Sequence, residues 1–358
     1  MNSHDNEMHN FSEEDRDLFR ESLRRLLADQ WPSLKALDLG ADADAVRGIW
    51  AQLGDLSLSE LGRDPDMGGL REILLAFEEV GRAACPAPLL GAVVANLLGL
   101  GETNPAAAGD RRPSRALGFG PFDGDRAAGA LSLSSERVSG TVHFVEGSAT
   151  ADQYLIFLDS PSAVAIVDAS ESGIEIRETP SLSLPPLASV SFNDTPARVV
   201  SFERETLADI VQIARLCCTA RALGSAQRGF DLVVEHATTR RQFGQLIGQF
   251  QAVQHRLVDN LTRLDGARLT LDAAATAYDR KLCSWSVFAD LALAHASPGL
   301  RQLAIDMHQL MGAVGYAEEH ELPRHFRQIH GNVTRFGGVM RARAEVGNYL
   351  VGAASQAG

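Results

Sequence analysis

The sequence predicts a mainly α-helical protein with a central β domain. Apolar residues recur at helical spacing in the first hundred residues and again in the last 150 or so. Between these zones lie short β-branched or alternating runs separated by Gly, Ser, Asp and Pro. We therefore divide the 358 residues into an N-terminal helical domain (1–111), an antiparallel β domain (112–202) and a C-terminal helical bundle domain (203–358).

Four helices are expected in the N-terminal domain. Ser12 is a suitable N-cap for the first helix, because it is followed at once by the acidic residues Glu13 and Glu14. Gly and Pro residues separate three further helical patterns. These patterns cover Ala43–Leu53, Gly69–Arg82 and Leu89–Leu98.

The β domain is predicted from a change of period near residue 112. Its apolar runs are too short for helices and are bounded by turn-forming residues. The clearest runs are Leu131–Leu133, Val142–Val145, Tyr154–Leu158, Ala163–Val167 and Val190–Phe192. A sheet placed between two helical layers leaves a cleft in which ligands commonly bind.

The C-terminal domain is predicted to be an antiparallel four-helix bundle, because its helical patterns are long and follow one another closely. They cover Leu207–His236, Ile247–Arg280, a stretch through Pro298 to Gly312, and Val339–Val351. The first helix is expected to end near Thr239, and the second to begin before Phe250.

Composition excludes several functional classes. Lys and Arg total 33 against 46 Asp and Glu, a net charge of −13, which argues against nonspecific nucleic-acid binding. Cys85, Cys217, Cys218 and Cys283 have neither zinc-site nor disulfide-framework spacing. The polar N-terminus is unlike a signal peptide, and no apolar run is long enough to span a membrane. We expect a soluble, cytoplasmic protein with no membrane partner.

The segment 240–251 is the strongest candidate for a binding site. Adjacent Arg240 and Arg241, with Gln242, can hold a phosphate or pyrophosphate, because guanidinium groups offer planar, paired donors. The alternative is a loop whose arginines are only solvated.

Three segments resemble the acyl-CoA dehydrogenase family. Residues 240–251 read Arg-Arg-Gln-Phe-Gly-Gln-Leu-Ile-Gly-Gln-Phe-Gln and match that family's RxxFG…(F/H)Q segment. Residues 309–324, Gln-Leu-Met-Gly-Ala-Val-Gly-Tyr-Ala-Glu-Glu-His-Glu-Leu-Pro-Arg, are similar to its Q-x-x-GG-x-GY-x-x-E-H-x-L-x-R segment. A weaker match covers residues 50–82. Together the matches extend over nearly the whole chain, in the family's order of domains.

The resemblance implies the acyl-CoA dehydrogenase fold, and a flavoprotein with FAD as the cofactor. In the family, the first segment contacts the adenosine diphosphate half of FAD in a neighbouring subunit, and the second lines the same pyrophosphate. Ala313 stands where the family has a second glycine. Carried over by position, the cofactor-binding residues are Arg240, Gln242, Phe243, Gln251, Gln309, Gly312 and Ala313.

The resemblance also shows what is missing. The family uses a carboxylate base to remove the α proton of an acyl-CoA, on a loop before the last helix or on the first bundle helix. The corresponding positions here are Phe336 and Ala214, which cannot accept a proton. The Thr-Glu-x-x-x-Gly-Ser-Asp loop and the Trp-Ile-(Ser/Thr) strand, which hold the flavin ring and the CoA arm, are absent from residues 117–145. No catalytic residue is therefore assigned.

These departures resemble the base-less subunits of heteromeric acyl-CoA dehydrogenases in bacterial steroid catabolism. The implied assembly is α2β2, with a homologous catalytic subunit as the partner, an acyl-CoA substrate and an electron-transfer acceptor. Two alternatives stay open: a self-sufficient enzyme with a relocated base, and a flavin-free structural or interaction paralogue. The carboxylates available for a relocated base are Glu205, Asp209, Glu318 and Glu319. The competing structural roles are stabilisation of a helix N-terminus for the first two and pairing with Arg324 or Arg327 for Glu319 with His320.

Overall fold

The computed structural model describes residues 11–32, 35–64, 68–100, 113–119, 131–179 and 184–357. Three sequence-based predictions fall at least partly outside these ranges. They concern the polar N-terminal segment, the domain boundary at residues 111 and 112, and the segment 120–130 within the region where the flavin-ring loop was sought.

The N-terminal domain is helical, as predicted. Its helices are α1 (Glu13–Gln30), α2 (Ala36–Ala41), α3 (Ala43–Asp55), α4 (Leu70–Arg82) and α5 (Leu89–Leu97). Ser12 caps α1: its Oγ accepts from the Asp15 amide at 3.1 Å, and the Asp15 carboxylate accepts from the Ser12 amide at 3.0 Å. This reciprocal pair satisfies two otherwise unpaired helix donors. The six residues of α2 are too few to show a helical period, which is why the sequence did not predict it.

The β domain contains two four-stranded sheets. In chain order the strands are β1 (Arg115–Phe119), β2 (Ser132–Ser134), β3 (Arg137–Glu146), β4 (Gln153–Leu158), β5 (Ala163–Asp168), β6 (Ile174–Thr179), β7 (Leu187–Pro196) and β8 (Arg198–Ser201). One sheet has the order β1-β4-β5-β8, and the other β2-β3-β7-β6. The strand pairs are antiparallel except β1 with β4, which is parallel.

Alternation along β4 shows how the β domain connects the two cores. Leu155 and Phe157 face the helices and belong to the main core, whereas Tyr154 and Ile156 face the second sheet. Successive side chains of a strand point to opposite faces, so one strand contributes to both cores. The sheet containing β1 and β4 is therefore covered on both sides.

The C-terminal domain is a helical bundle. Its helices are α6 (Arg204–Thr239), α7 (Gln251–Asp279), α8 (Trp285–Met311), α9 (Leu322–Val333) and α10 (Gly338–Ala357). The first helix ends at Thr239, as predicted. The second begins after Phe250, because residues 247–249 form a separate 3₁₀ turn. A two-residue hairpin precedes that turn, with β9 at Arg241–Gln242 and β10 at Gln245–Leu246.

Two glycines allow α4 and α6 to pack backbone against backbone. A Cβ on Gly81 would overlap the Arg221 carbonyl, and one on Gly224 would overlap the Glu78 carbonyl. Ser225 reinforces the contact, because its Oγ donates to the Gly81 carbonyl at 2.9 Å. The N-terminal domain is thereby fixed on the first helix of the bundle.

Among the helices of the described residues, none has both the length and the apolar character that crossing a bilayer requires.

Candidate functional site

The segment between α6 and α7 presents two cationic side chains to solvent. The backbone is fixed locally, since the Arg240 amide donates to His236 O and the Ile247 amide donates to Arg240 O, both at 2.9 Å. The guanidinium groups of Arg240 and Arg241 are exposed. Neither of them makes a hydrogen bond or ion pair with a residue that the structure describes. Both cations are therefore available to an external anion.

Phe243 is the most exposed large apolar side chain of this segment. It is 92% exposed, and its backbone has a left-handed φ of 52°. Its ring meets the Phe250 ring edge-to-face, with centroids 6.2 Å apart. A bulky residue rarely adopts a positive φ, and an exposed aromatic ring loses the benefit of burial. This arrangement is expected of a side chain that becomes buried against another molecule.

The second candidate segment lies at the end of α8. Gln309 is exposed in the last turn, Gly312 caps the helix with a φ of 62°, and Ala313 is exposed in the following 3₁₀ turn. No atom lies within 4 Å of a Cβ built on Gly312. The glycine is thus favoured by its backbone conformation rather than by lack of space.

The two segments lie at the same end of the bundle. Helices α7 and α8 are consecutive antiparallel neighbours, so the start of α7 at Gln251 lies at the same end as the end of α8 at Met311. Helix α6 also ends there, since Gly229 abuts Met307 and Leu322. We term residues 240–251 and 309–313 together the bundle-end surface.

The chemistry of the bundle-end surface fits a pyrophosphate. Arg240 and Arg241 supply unpaired planar donors, and exposed amides are available on Gln251 and Gln309. The Gln242 amide bonds only to the neighbouring Arg241 carbonyl, at 2.8 Å. Small residues at 312 and 313 allow a ligand to approach the backbone. The seven residues selected from the sequence are thus accessible and suited to the adenosine diphosphate half of FAD.

The two positions expected for the base are occupied by Ala214 and Phe336. Ala214 is fully buried on α6. Phe336 lies in the turn before α10, with a left-handed φ of 55°. Its ring is 4.6 Å from that of Phe119 on β1, which in turn stacks at 4.6 Å on Phe157 of β4. The three rings therefore pack in a row beside the sheet, and neither position offers a carboxylate.

A buried cluster of three charges lies beside Phe336. Glu146, at the end of β3, accepts from Arg221 of α6 at 2.5 and 2.7 Å, and also from Arg335. The Nε of Arg221 donates to Asn332 Oδ1 at 2.8 Å. Burial alone would raise the pKa of Glu146, but the two guanidinium groups outweigh it and lower that pKa to about 2. The carboxylate is therefore ionised, and it connects the β domain to the C-terminal domain.

Sequence reasoning missed this cluster. Glu146 and Arg221 are 75 residues apart, and Glu146 and Arg335 are 189 apart. The only local signal is Arg221 itself, a charged residue in the middle of a largely apolar helical pattern. A buried charge needs a partner, but the sequence does not say which one.

The backbone of the Phe336 turn is held by Arg215. Its Nε donates to the Phe336 carbonyl, and its Nη1 donates to Gln212 Oε1 at 3.0 Å. Gln212 in turn donates to Asp290 of α8 at 2.8 Å. Burial raises the pKa of Asp290. These contacts attach the backbone of the turn to α6, while the Phe336 ring points towards Phe119 of the sheet.

The four carboxylates considered for a relocated base have other surroundings. Glu205 and Asp209 lie in the first turns of α6, and burial together with the neighbouring Glu205 raises the pKa of Asp209. Glu318 forms an ion pair with Arg327. Of the two arginines considered as partners of Glu319, Arg327 is thus paired with Glu318, while Glu319 itself is exposed.

Metal and disulfide chemistry find no support among the described residues. No group of His, Cys, Asp and Glu side chains there is arranged to hold a metal ion. The four cysteines are free thiols, of which Cys85, Cys217 and Cys218 are buried and Cys283 is exposed. Burial raises the pKa of Cys85 to about 12 and also raises those of Cys217 and Cys218.

We expect one thiol of the native chain to react with a disulfide reagent such as dithionitrobenzoate. Cys283 is exposed, whereas burial keeps the other three both inaccessible and protonated. Absorbance should report one equivalent per chain in buffer and four after unfolding in guanidinium chloride. Any fast-reacting equivalent in the Cys283→Ser variant would contradict the burial of the remaining thiols.

Comparison with known sequences adds independent information. Residues 206–338 match the family described as acyl-CoA dehydrogenase, C-terminal domain. The chain is 30% identical over 330 residues to "Acyl-CoA dehydrogenase IpdE2" of Mycobacterium tuberculosis, which covers 89% of this chain and 92% of that protein. It is 29% identical over 298 residues to "Acyl-CoA dehydrogenase FadE34" of the same organism, covering 81% of this chain but 40% of that protein.

Comparison with solved structures confirms the fold. A variant of the "Tcur3481-Tcur3483 steroid ACAD" superimposes with a TM-score of 0.80 at 22% identity, covering 96% of this chain and 99% of that one. The ChsE4-ChsE5 complex from Mycobacterium tuberculosis superimposes with a TM-score of 0.75 at 20% identity, covering 96% and 98%. At these identities the similarity concerns the fold alone.

Proposed function

Because this chain belongs to the acyl-CoA dehydrogenase family, we propose that it is the noncatalytic subunit of an FAD-dependent acyl-CoA dehydrogenase. The reaction of the complex is the Cα–Cβ desaturation of a CoA thioester. A homologous partner subunit supplies the base and the pocket for the flavin ring. This chain supplies the contacts to the adenosine side of the cofactor, in an α2β2 assembly.

The observation that carries this proposal is the contrast between two regions of the chain. The bundle-end surface keeps accessible cations, amides and small residues, whereas the space beside Phe336 is filled by aromatic rings and by the Glu146 cluster. A proton-abstracting carboxylate must reach its substrate by a hydrogen bond or through one water. The groups suited to cofactor binding are accessible, whereas the positions expected for the base hold side chains that cannot accept a proton.

Bound FAD would be held by the seven residues selected from the sequence, with Arg241 as an additional cation beside them. The guanidinium groups of Arg240 and Arg241 would neutralise the pyrophosphate, while the amides of Gln251 and Gln309 orient it. Phe243 would be buried against the neighbouring subunit, removing its ring from water. FAD supplies the hydride acceptor of the desaturation. This chain contributes binding and orientation.

The substrate and the partners follow from the names of the similar proteins. One structural neighbour is described as a steroid ACAD, and the other as a complex of two chains. These descriptions support a bulky or steroid-derived acyl-CoA as the substrate and a homologous chain as the partner. Desaturation removes two electrons from the substrate, so the complex also needs an electron-transfer acceptor.

Purification with and without the partner tests the proposal. The chain should be colourless when expressed alone and should gain a flavin spectrum when co-expressed with a homologous subunit encoded nearby. A yellow, stoichiometric flavoprotein that oxidises acyl-CoA on its own would show a self-sufficient enzyme. A co-purified complex with full activity after FAD contacts of this chain are removed would show a flavin-free paralogue.

Arg240→Ala and Phe243→Ala should each lower the FAD affinity of the complex about tenfold, because each removes an exposed contact. The melting temperature of the isolated chain should not change, since both side chains are solvent-exposed. FAD released on dilution, followed by its fluorescence, measures the effect. Arg25→Ala, an exposed arginine of α1, is the matched control, and equal flavin loss from all three variants would refute the assignment.

A further inference from the structure

A cavity of about 830 Å³ lies at the other end of the bundle. It is bounded by the start of α1, the N-terminus of α4 and the segment that joins α7 to α8. Helix α7 has 29 residues, which at about 1.5 Å per residue separates the cavity from the bundle-end surface by roughly 40 Å. The volume is within the range of about 300–1,000 Å³ typical of small-molecule sites. The proposed FAD contacts do not use it.

The wall of the cavity is largely apolar. Tyr278 and Trp285 form an edge-to-face pair with ring centroids 5.0 Å apart. Both rings are partly exposed, so they contribute surface to the cavity rather than only to the core. The other apolar lining residues are Phe11, Leu70, Ile73, Leu97 and Leu282. Such a wall favours an apolar ligand body.

Three carboxylates line the wall, and none of them is without a partner; Asp64 is one, and the other two are Asp279 and Glu72. Asp279 accepts from the amides of Leu70 and Arg71 at 2.7 and 3.3 Å, and so satisfies the N-terminus of α4. Glu72 accepts from Arg16 and from the Gly69 amide, each at 2.7 Å. The oxygen atoms of these acids are therefore already occupied by donors of the fold itself.

Two cations at the mouth of the cavity are not engaged. Arg280 and Lys281 follow α7 directly, line the cavity and are exposed. Their side chains make no hydrogen bond or ion pair within the parts of the chain that the structure describes. Lys281 has a left-handed φ of 53°, in the turn that leads to the aromatic pair. An apolar cavity with two unpaired cations at its mouth is complementary to a molecule with an apolar body and an anionic head.

We propose that this cavity binds an amphipathic anion of the class of medium-chain carboxylates. The hydrocarbon chain lies against Tyr278 and Trp285, and the carboxylate pairs with Arg280 and Lys281. Binding at this site is independent of FAD and of the partner subunit, so its failure or success leaves the proposed function untouched.

Trp285 reports the binding of n-decanoate, added to the full chain at concentrations below its micellar range. We expect a saturable change in tryptophan fluorescence that the Trp285→Phe variant loses, because Trp31 and Trp50 are buried elsewhere in the core. Decyltrimethylammonium, with the same chain length and the opposite charge, should bind about tenfold more weakly. Equal affinity for the two probes, or no saturable change, would overturn the proposal.

The role of the cations is tested by the double variant Arg280→Gln/Lys281→Gln. We expect about tenfold weaker binding of decanoate, whereas Arg301→Gln/Arg343→Gln, which removes two exposed charges from α8 and α10, should bind normally. Cys283 also lines the cavity and gives a second readout. Saturating decanoate should slow its alkylation by iodoacetamide; unchanged affinity in the first double variant together with unprotected Cys283 would exclude the site.

Discussion

Glu146→Gln is expected to lower the free energy of unfolding by about 3–5 kcal/mol. The substitution keeps the size of the side chain but removes its charge, and it leaves Arg221 and Arg335 facing each other. Arg221 is 1% exposed and cannot turn to water. Breaking a buried ion pair by removing one partner is costly because the remaining charge is left without compensation.

The effect can be measured by urea unfolding followed by circular dichroism, with Glu318→Gln as the control. Glu318 also pairs with an arginine, Arg327, but it lies on the surface. Its loss should change the unfolding free energy by less than about 1 kcal/mol. Similar destabilisation in the two variants would show that the buried position of Glu146 adds nothing.

The same substitution should change how stability depends on pH. The pKa of Glu146 is about 2 in the folded chain, against an ordinary value of 4.5, so its contribution is complete above pH 4.5 and is lost as the pH falls towards 2. The wild-type chain should lose stability across this interval, and Glu146→Gln should lack that part of the loss. Parallel curves for the two proteins between pH 4.5 and pH 2 would contradict the low pKa.

Gly224→Ala is expected to destabilise the chain by more than about 3 kcal/mol. The added methyl group would overlap the Glu78 carbonyl and approach the Arg82 amide, so α4 and α6 would have to separate. Separation would also break the hydrogen bond from Ser225 to the Gly81 carbonyl. Thermal unfolding should show the loss as a large fall in melting temperature.

Gly48→Ala is the matched control for that experiment. Gly48 lies in α3, and a Cβ there has no atom within 4 Å. Alanine favours the helix over glycine by about 0.5–1 kcal/mol, so this variant should be slightly more stable than the wild type. A Gly224→Ala protein as stable as Gly48→Ala would show that the close approach of the two helices is not needed.

The sequence predicted the helices well where they are long. Helix α6 and the cap at Ser12 are examples, since each depends on a local pattern. Strands β1 and β6 were missed for different reasons. Strand β1 has only five residues, while β6 is largely exposed and carries charged side chains. The parallel pairing of β1 with β4 depends on contacts 38 residues apart, such as Arg115 with Gln153, which no local pattern encodes.

The candidate site also contains one part that a local sequence pattern predicts and one part that depends on distant contacts. Arg240 and Phe243 could be selected from a continuous motif, because the role proposed for them depends on side chains that are exposed close together in the chain. The Glu146 cluster depends on which helix and which turn the end of β3 meets. Its three members belong to separate elements, and their pairing is decided by the folded core rather than by neighbours in sequence.

The position of Phe336 has an evolutionary consequence. Its ring has been incorporated into the packing of Phe119 and Phe157, and its carbonyl is held by Arg215. A glutamate at this position would lie against the Phe119 ring, where burial raises a carboxyl pKa, but also near the Arg335 guanidinium, whose central carbon is 4.8 Å from the centroid of the present ring. A carboxylate introduced alone would enter a turn whose backbone and packing are adapted to an aromatic ring. Recovery of a base at this position would therefore require changes in the surrounding packing as well as at residue 336.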